Sequence, residues 1–370
     1  PNEDLKTLSA EFLISNCELA YQARRNTIWG QKISDEVFYS YVLPYANLNE
    51  RVEDWRLDFY NKFYPMVKDL ESAYEAVVVL NHKIYEELGG SSPILKLTEK
   101  QALALESKLN KDDKLSDYKC FIVMRCWHPR AEKVVKDVIN YNPNEIILIP
   151  LYPQYSAATS GSSLKEWNDI CVANNYKVKT STICCYPTDE NFIEAHKNEI
   201  LKKINNLKNF KLIFSAHGLP EKNIKKGDPY QWQVEQSVNK IVGSLNIKNL
   251  DWILSYQSRV GPLKWIGPST EDIIIENSKL GKHIVLVPIA FVSEHSETLV
   301  ELDIEYKELA DKNGCKNYSR VPALGTNENY IKAMSNLIIN KLDYNFNGEL
   351  FPPKIQCPNH FKKCPCLGYE

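Results

Sequence analysis

The stretch "HIVLVPIAFVSEHSETLVELDIEY", residues 283–306, carries two patterns in direct succession. Its first nine residues form a near-continuous apolar run, as expected of a strand buried on both faces. The part from Glu294 onward reads as a helix. That reading sets Glu294, Glu297, Glu301 and Glu305 along one stripe, because residues three and four apart share a helix face. Like charges at this spacing weaken an isolated helix by roughly 0.2–0.5 kcal/mol per pair. A solvated acidic face is the plain explanation of such a row, but solvated faces usually mix signs, and this one meets a lysine only at Lys307. A metal ion or mobile protons would supply the missing positive charge.

Similar apolar runs recur upstream as "CFIVM" (120–124), "EIILIPLY" (145–152), "KLIFSA" (211–216) and "WILSY" (252–256), each followed by a helical stretch. Strand and helix in alternation predict an α/β protein built on parallel sheet. The polar and aromatic residues cluster just past these runs, in "RCWHP", "YPQYSAATSGSS", "SAHGLP", "QSRVGPLKWIGP" and "VSEHSE". Open α/β sheets bind ligands beyond the carboxyl ends of their strands, so five such loops predict one shared cleft.

Residues 1–88 have a different texture, aromatic-rich with helical periodicity and no strand-turn pattern, and read as an all-helical N-terminal segment. "LGGSSP" (88–93) then places a boundary, with an α/β region over 89–350 and a cysteine-containing tail over 351–370. In 370 residues, Lys plus Arg number 45 and Asp plus Glu number 47, without a basic block, which argues against a nucleic-acid partner. No apolar run is long enough to span a bilayer, and "PNEDLKTLSAEF" lacks the regions of a signal peptide, so the sequence reads as soluble and cytoplasmic. Ten scattered cysteines fit reduced thiols better than a disulfide framework.

Several residues could carry chemistry. His217, in "FSAHGLP", lies just past a buried strand; a lone histidine is more often structural, but the neighbouring Glu294, His295 and Glu297, also beyond a strand, shift the balance toward function. Imidazole plus carboxylate suits a divalent transition metal such as Fe(II) or Zn(II), without the close Cys/His pairing of a permanent zinc site. Trp127, Tyr152, Tyr155, Trp265 and Phe291 either belong to the core or wall a cavity for a flat apolar ligand. Arg125 and Arg259 either make surface ion pairs or hold that ligand's carboxylates. Ser163 and Glu166 have the spacing of a capping box.

Residues from about 89 to 350 resemble ferrochelatase, the enzyme that inserts ferrous iron into a porphyrin. The resemblance rests on "LYPQYSAATSGSS", "FSAHGLP", "GDPY", "YQSRVGPLKWIGPSTED" and "VPIAFVSEHSETLVELDIEY", in that order. It implies a lyase of heme biosynthesis with two Rossmann-like lobes and the cleft between them. His217 and Glu297 would serve metal and proton chemistry, and Glu294, His295, Glu301 and Glu305 the acidic path. Arg125, Tyr155, Trp265 and Phe291 would lie at the porphyrin, with Cys126 where relatives often carry tyrosine. Ferrous iron would be the substrate metal and the porphyrin either protoporphyrin IX or coproporphyrin III. Oligomeric state and peripheral contact with the inner membrane are left open.

The resemblance also has gaps. Residues 1–88 lack the family's opening strand and glycine-rich turn, and instead resemble the helical leader of transglutaminase-like proteins. Without that opening strand, the run at 120–124 would have an unpaired neighbour, and an inactive chelatase-like porphyrin- or heme-binding protein is the alternative. Some ferrochelatases carry a [2Fe-2S] cluster on C-terminal cysteines. Here Cys357, Cys364 and Cys366 would supply three ligands, with Cys184 or Cys185 as the fourth.

Overall fold

The computed structural model describes residue 88 and residues 91–259, 263–343, 350–351 and 357–367. The helical reading of 1–88, and the resemblance of its leader, fall almost entirely outside them. The elements below belong to one of the two units into which the chain divides, the one that starts at Ser92.

Helices α1 (Ile94–Asp112) and α2 (Ala131–Tyr141) come first, followed by β1 (Glu145–Leu148). A π-helical turn, Ala157–Gly161, runs directly into α3 (Ser162–Ala173), and β2 (Lys179–Ile183), α4 (Glu190–Ile204) and β3 (Phe210–His217) follow. Next are α5 (Glu221–Lys225), α6 (Tyr230–Leu245), β4 (Trp252–Gln257), α7 (Thr270–Lys279) and β5 (His283–Pro288). A π-helix, Glu297–Glu305, passes into α8 (Tyr306–Lys312), before β6 (Asn317–Arg320), α9 (Glu328–Asp343) and β7 (Leu350–Phe351).

The strands form two all-parallel sheets, one ordered β1-β2-β7 and the other β4-β3-β5-β6. The α/β expectation with parallel sheet therefore holds. In the centre of the second sheet Phe214 is in register with Leu254 on one side and Val287 on the other. Leu212, Ile213, Phe214, Val285, Leu286 and Val287 have no exposed surface, as strands covered on both faces require. The largest apolar cluster joins β2, β3 and β5 to α1, α4, α6 and α9, so one core supports both sheets.

Two local expectations are corrected. Residues 120–124 do not form a strand: among the described residues no neighbour offers them a ladder, and Phe121 and Val123 stay 36% and 38% exposed. An extended segment becomes a strand only when another backbone pairs with it. The Ser163–Glu166 capping box is not made either, because α3 continues from the preceding π-helical turn and has no free N-terminus to cap. Glu166 is held instead by Arg130 and, at 3.6 Å, by Arg125. Ser156 caps the π-helical turn by accepting a hydrogen bond from the Ala158 N–H.

At the other end of the first sheet, Glu145 of β1 accepts from buried Lys341 of α9 and pairs with Lys179 of β2 at 2.8 Å. Burial works against its ionisation, but the two ammonium groups hold its carboxyl below the usual range. His196 of α4 is fully buried, edge-on to Phe192 at 4.8 Å, and burial pushes its imidazole down to about 3.

The unfolded chain therefore takes up a proton near the ordinary histidine value of about 6.5 that the folded chain refuses. Stability from this site is complete above about pH 6.5 and falls as pH drops toward the folded value. Replacing His196 by Phe or Leu should flatten the loss of unfolding free energy between pH 7 and 4 by about 2–3 kcal/mol, measured by urea denaturation across that range.

Candidate functional site

β3 delivers His217 as its last residue, and the chain turns at once through Gly218. An added Cβ at Gly218 would lie 2.9 Å from the Gln257 carbonyl, 3.1 Å from Trp265 and 3.2 Å from Arg259, so only glycine lets these loops close. Trp265 is fixed there by a bridge to Pro220.

The His217 Nδ1 lies 2.7 Å from the Gly218 carbonyl. A carbonyl only accepts, so Nδ1 carries a proton, and the opposite ring nitrogen, Nε2, is the one turned toward Glu297. That Nε2 is 3.8 Å from Glu297 Oε2. On the other side of the same carboxylate stands His295, with Nδ1 3.2 Å from the Ser293 carbonyl and Nε2 3.9 Å from Glu297 Oε1. Burial, reinforced by the nearby His217 and Arg320, pushes His295 below the usual histidine value and keeps it neutral at pH 7. Phe291 packs over both imidazoles, 6.5 Å from His217 and 4.7 Å from His295 between ring centroids. The Tyr230 hydroxyl donates to the His217 carbonyl at 3.0 Å.

The acidic row differs from the α-helical stripe read in the sequence. Glu294 and His295 precede the helix, and from Glu297 to Glu305 the winding is π, with wider turns than an α-helix. Such turns are frequent at functional sites. The row is also far from bare. Arg320 of β6 donates to Glu294 at 2.9 Å and clamps both oxygens of Asp303, at 2.7 and 2.6 Å. Glu294 accepts the Ala323 N–H as well. Glu301 accepts from the Gln257 amide, the Ser258 N–H and hydroxyl, and the Tyr306 hydroxyl. Glu305 lies on the exposed surface. The missing positive charge thus comes partly from Arg320, more than a dozen residues along the chain, where helical periodicity gave no sign of it.

The remaining candidates divide. Trp265 and Phe291 stand with His217. Arg125 sits in the other sheet's region beside Glu166. Tyr155 is only 7% exposed and packs with Cys184, Cys185 and Cys366, away from solvent. Trp127 is exposed.

The tail sulfurs do converge. Cys184 Sγ lies 2.9 Å from Cys366 Sγ and 3.4 Å from Cys185 Sγ. Cys357, Cys364 and Cys366 pack in one cluster, and the neighbouring thiols pull the titration of Cys364 below the usual thiol range. The sulfurs touch one another, and among the described residues no group of three or more His, Cys, Asp or Glu side chains is spread around a metal position. Sequence reasoning did not single out Asp228, Gln233, Gln257 or Arg320, whose roles depend on partners distant in the chain.

Two parallel-sheet lobes, with imidazole and carboxylate groups gathered at strand ends, define a chelatase-type α/β protein. The family model described as Ferrochelatase matches residues 78–342. Ferrochelatase of Pelagibacter ubique (strain HTCC1062) is 76% identical over 307 residues, covering 83% of this chain and 88% of that protein. Ferrochelatase of Rickettsia felis (strain ATCC VR-1525 / URRWXCal2) is 50% identical over 292 residues, covering 77% and 83%. Among solved structures, SirB from Bacillus subtilis with Fe3+ aligns at a TM-score of 0.48 and 16% identity, over 66% of this chain and 89% of that one. The chain belongs to the ferrochelatase family.

Arg320→Met would leave Glu294 and Asp303 facing each other without their shared cation. It should lower stability by about 3 kcal/mol, read from denaturant midpoints. Arg320→Lys should recover only part of this, because one ammonium cannot reproduce the forked clamp.

Proposed function

We infer that the chain inserts ferrous iron into a porphyrin, the metal-inserting lyase reaction of heme biosynthesis. The observation that carries this reading is the Glu297 carboxylate between the Nε2 atoms of His217 and His295, in a chain 76% identical to a ferrochelatase. Nothing in the comparisons favours the alternative of an inactive porphyrin-binding relative.

Charge balance constrains the chemistry, since a divalent ion enters the ring as two pyrrole protons leave. His217 donates from Nδ1 to a carbonyl, so in its neutral form Nε2 can accept a pyrrole proton or ligate incoming iron. Glu297 stands next in line and can take that proton or share the ion, with neutral His295 as a further acceptor. Glu301, held by four donors, lies beyond them, with Glu305 toward solvent as the outer part of the path. Trp265 and Phe291 would face the macrocycle near His217. Arg125 would reach a propionate only by sharing or leaving Glu166, and Tyr155 would support its loop from beneath. Either protoporphyrin IX or coproporphyrin III satisfies this chemistry.

The cysteines fit a [2Fe-2S] cluster in kind and number. Cys357, Cys364 and Cys366 with Cys184 or Cys185 would hold it, once the touching sulfurs moved apart to admit iron. When bound, such a group supplies a one-electron redox centre. Visible absorbance of anaerobically purified protein, lost on Cys364→Ser, tests it; a colourless protein overturns it. The apolar product suits a cytoplasmic enzyme in peripheral contact with the inner membrane. Among the described residues no helix is long and apolar enough to cross one.

Mixing the purified chain anaerobically with ferrous iron and protoporphyrin should quench free-porphyrin fluorescence in a metal-dependent reaction. Glu297→Gln should slow it by about a hundredfold or more. A Glu297→Gln protein working at the wild-type rate overturns the assignment.

A further inference from the structure

The first turns of α6 connect the sulfur cluster to the iron–porphyrin site through one buried amide. Gln233 is 1% exposed, and its Oε1 accepts the Tyr155 backbone N–H at 2.7 Å. A backbone N–H only donates, so this contact fixes the amide's orientation. Its Nε2 must therefore point to the opposite side. There it meets Cys357 Sγ at 3.2 Å and Cys185 Sγ at 3.4 Å. Cys357, Cys364 and Cys366 pack together, and Cys366 also meets Cys184, which meets Cys185, so the five sulfurs form one cluster. Gln233 bridges that cluster from Cys357 to Cys185.

The same helix face carries the cluster's connection onward. Tyr230, one turn before Gln233, holds the His217 carbonyl, and Ser237, one turn after, accepts from Gln154 at 2.9 Å. Asp228, just ahead of the helix, accepts from the Ser156 hydroxyl and the Ala157 N–H, both at 2.9 Å. The tail is fastened at the same point. The Lys363 N–H donates to the Gly227 carbonyl, and a Cβ at Gly227, where φ is +90°, would fall 2.6 Å from the Lys362 nitrogen. Sulfurs, tail and the loop beyond β1 thus share one rigid mount with the His217 strand end.

We propose that Gln233 is a positioning residue for porphyrin binding, transmitting the state of the five sulfurs to the Tyr155–Ala157 loop. Its N–H groups favour electron-rich sulfur, whether thiolate or iron-bound. Any change that spreads, oxidises or removes those sulfurs pulls on an amide whose other end is the Tyr155 backbone. The proposal rests on reading the loops beyond β1 and β3 as the porphyrin cleft. It does not require the sulfurs to hold iron.

The test is a double-mutant cycle of Gln233→Leu and Cys357→Ser, read as the dissociation constant for protoporphyrin by fluorescence titration without added metal. Thermal melts confirm that each variant is folded. Each single change should weaken binding about threefold or more, and the pair should weaken it clearly less than the product of the two. Gln233→Glu keeps an oxygen for the Tyr155 N–H but turns an acceptor toward the sulfurs. It should weaken binding too, and should shift the visible spectrum or, in colourless protein, the rate at which a thiol reagent labels the cysteines. It also replaces Gln233→Leu in the cycle if that variant does not fold. Gln233 variants that bind as wild type, or effects that multiply within about a factor of two, overturn the proposal. A wild-type chain that binds no protoporphyrin overturns the reading of the cleft, and the proposal with it.

Discussion

The site depends on the burial of β3 on both faces. With β4 and β5 hydrogen-bonded to its two edges and helices over its faces, its run from Leu212 to Ala216 has no solvent side on which to carry a charge. Ser215, a polar residue inside it, is satisfied by Gln257 and Thr270. Past that run His217 is the next side chain that reaches solvent, and it arrives with its backbone still in register with Gln257. A side chain placed at the end of so rigid a strand needs only local contacts to finish its orientation. The Gly218 carbonyl selects the tautomer and the Tyr230 hydroxyl holds the main chain.

The acidic segment shows how burial and charge are reconciled next to that strand. A row of carboxylates is unfavourable on any helix, and here each member is handled differently. Glu294 shares Arg320 with Asp303, Glu301 gathers four donors from β4's end and from Tyr306, and Glu305 reaches the exposed surface. Glu297 is set between two imidazoles that are both protonated on Nδ1. The carboxylate given the most adaptable neighbours is therefore the one beside His217.

The cysteine tail belongs to the same mechanical unit. Its sulfurs meet Cys184 and Cys185 at the end of β2, and α6 lies between them and the strand ends of the second sheet. Tyr155 illustrates the consequence. An aromatic residue expected at the ligand is instead buried against sulfur, and its backbone, rather than its ring, is what the site is tied to.

Much of the fold was legible in sequence because buried parallel strands leave long apolar runs, and four of the five runs read this way are strands in the structure. The fifth, at 120–124, has the right residues but no pairing partner among the described residues. The short strands β2, β6 and β7 were not read, since "KTSTI" and "NYSR" are too polar and "LF" too brief to signal burial. The site motifs were legible for the same local reason, that chemistry collects where a buried strand ends. The sequence alone therefore determined the alternation of elements, the family and the residues at the strand ends. Tertiary structure decided the histidine tautomers, the neutralisation of Glu294 by Arg320, the π winding and the meeting of Cys184 with Cys366, 182 residues apart. Each of these depends on a partner brought close only by folding, and a hydrogen bond or ion pair acts over a few ångströms of space, whatever the separation along the chain.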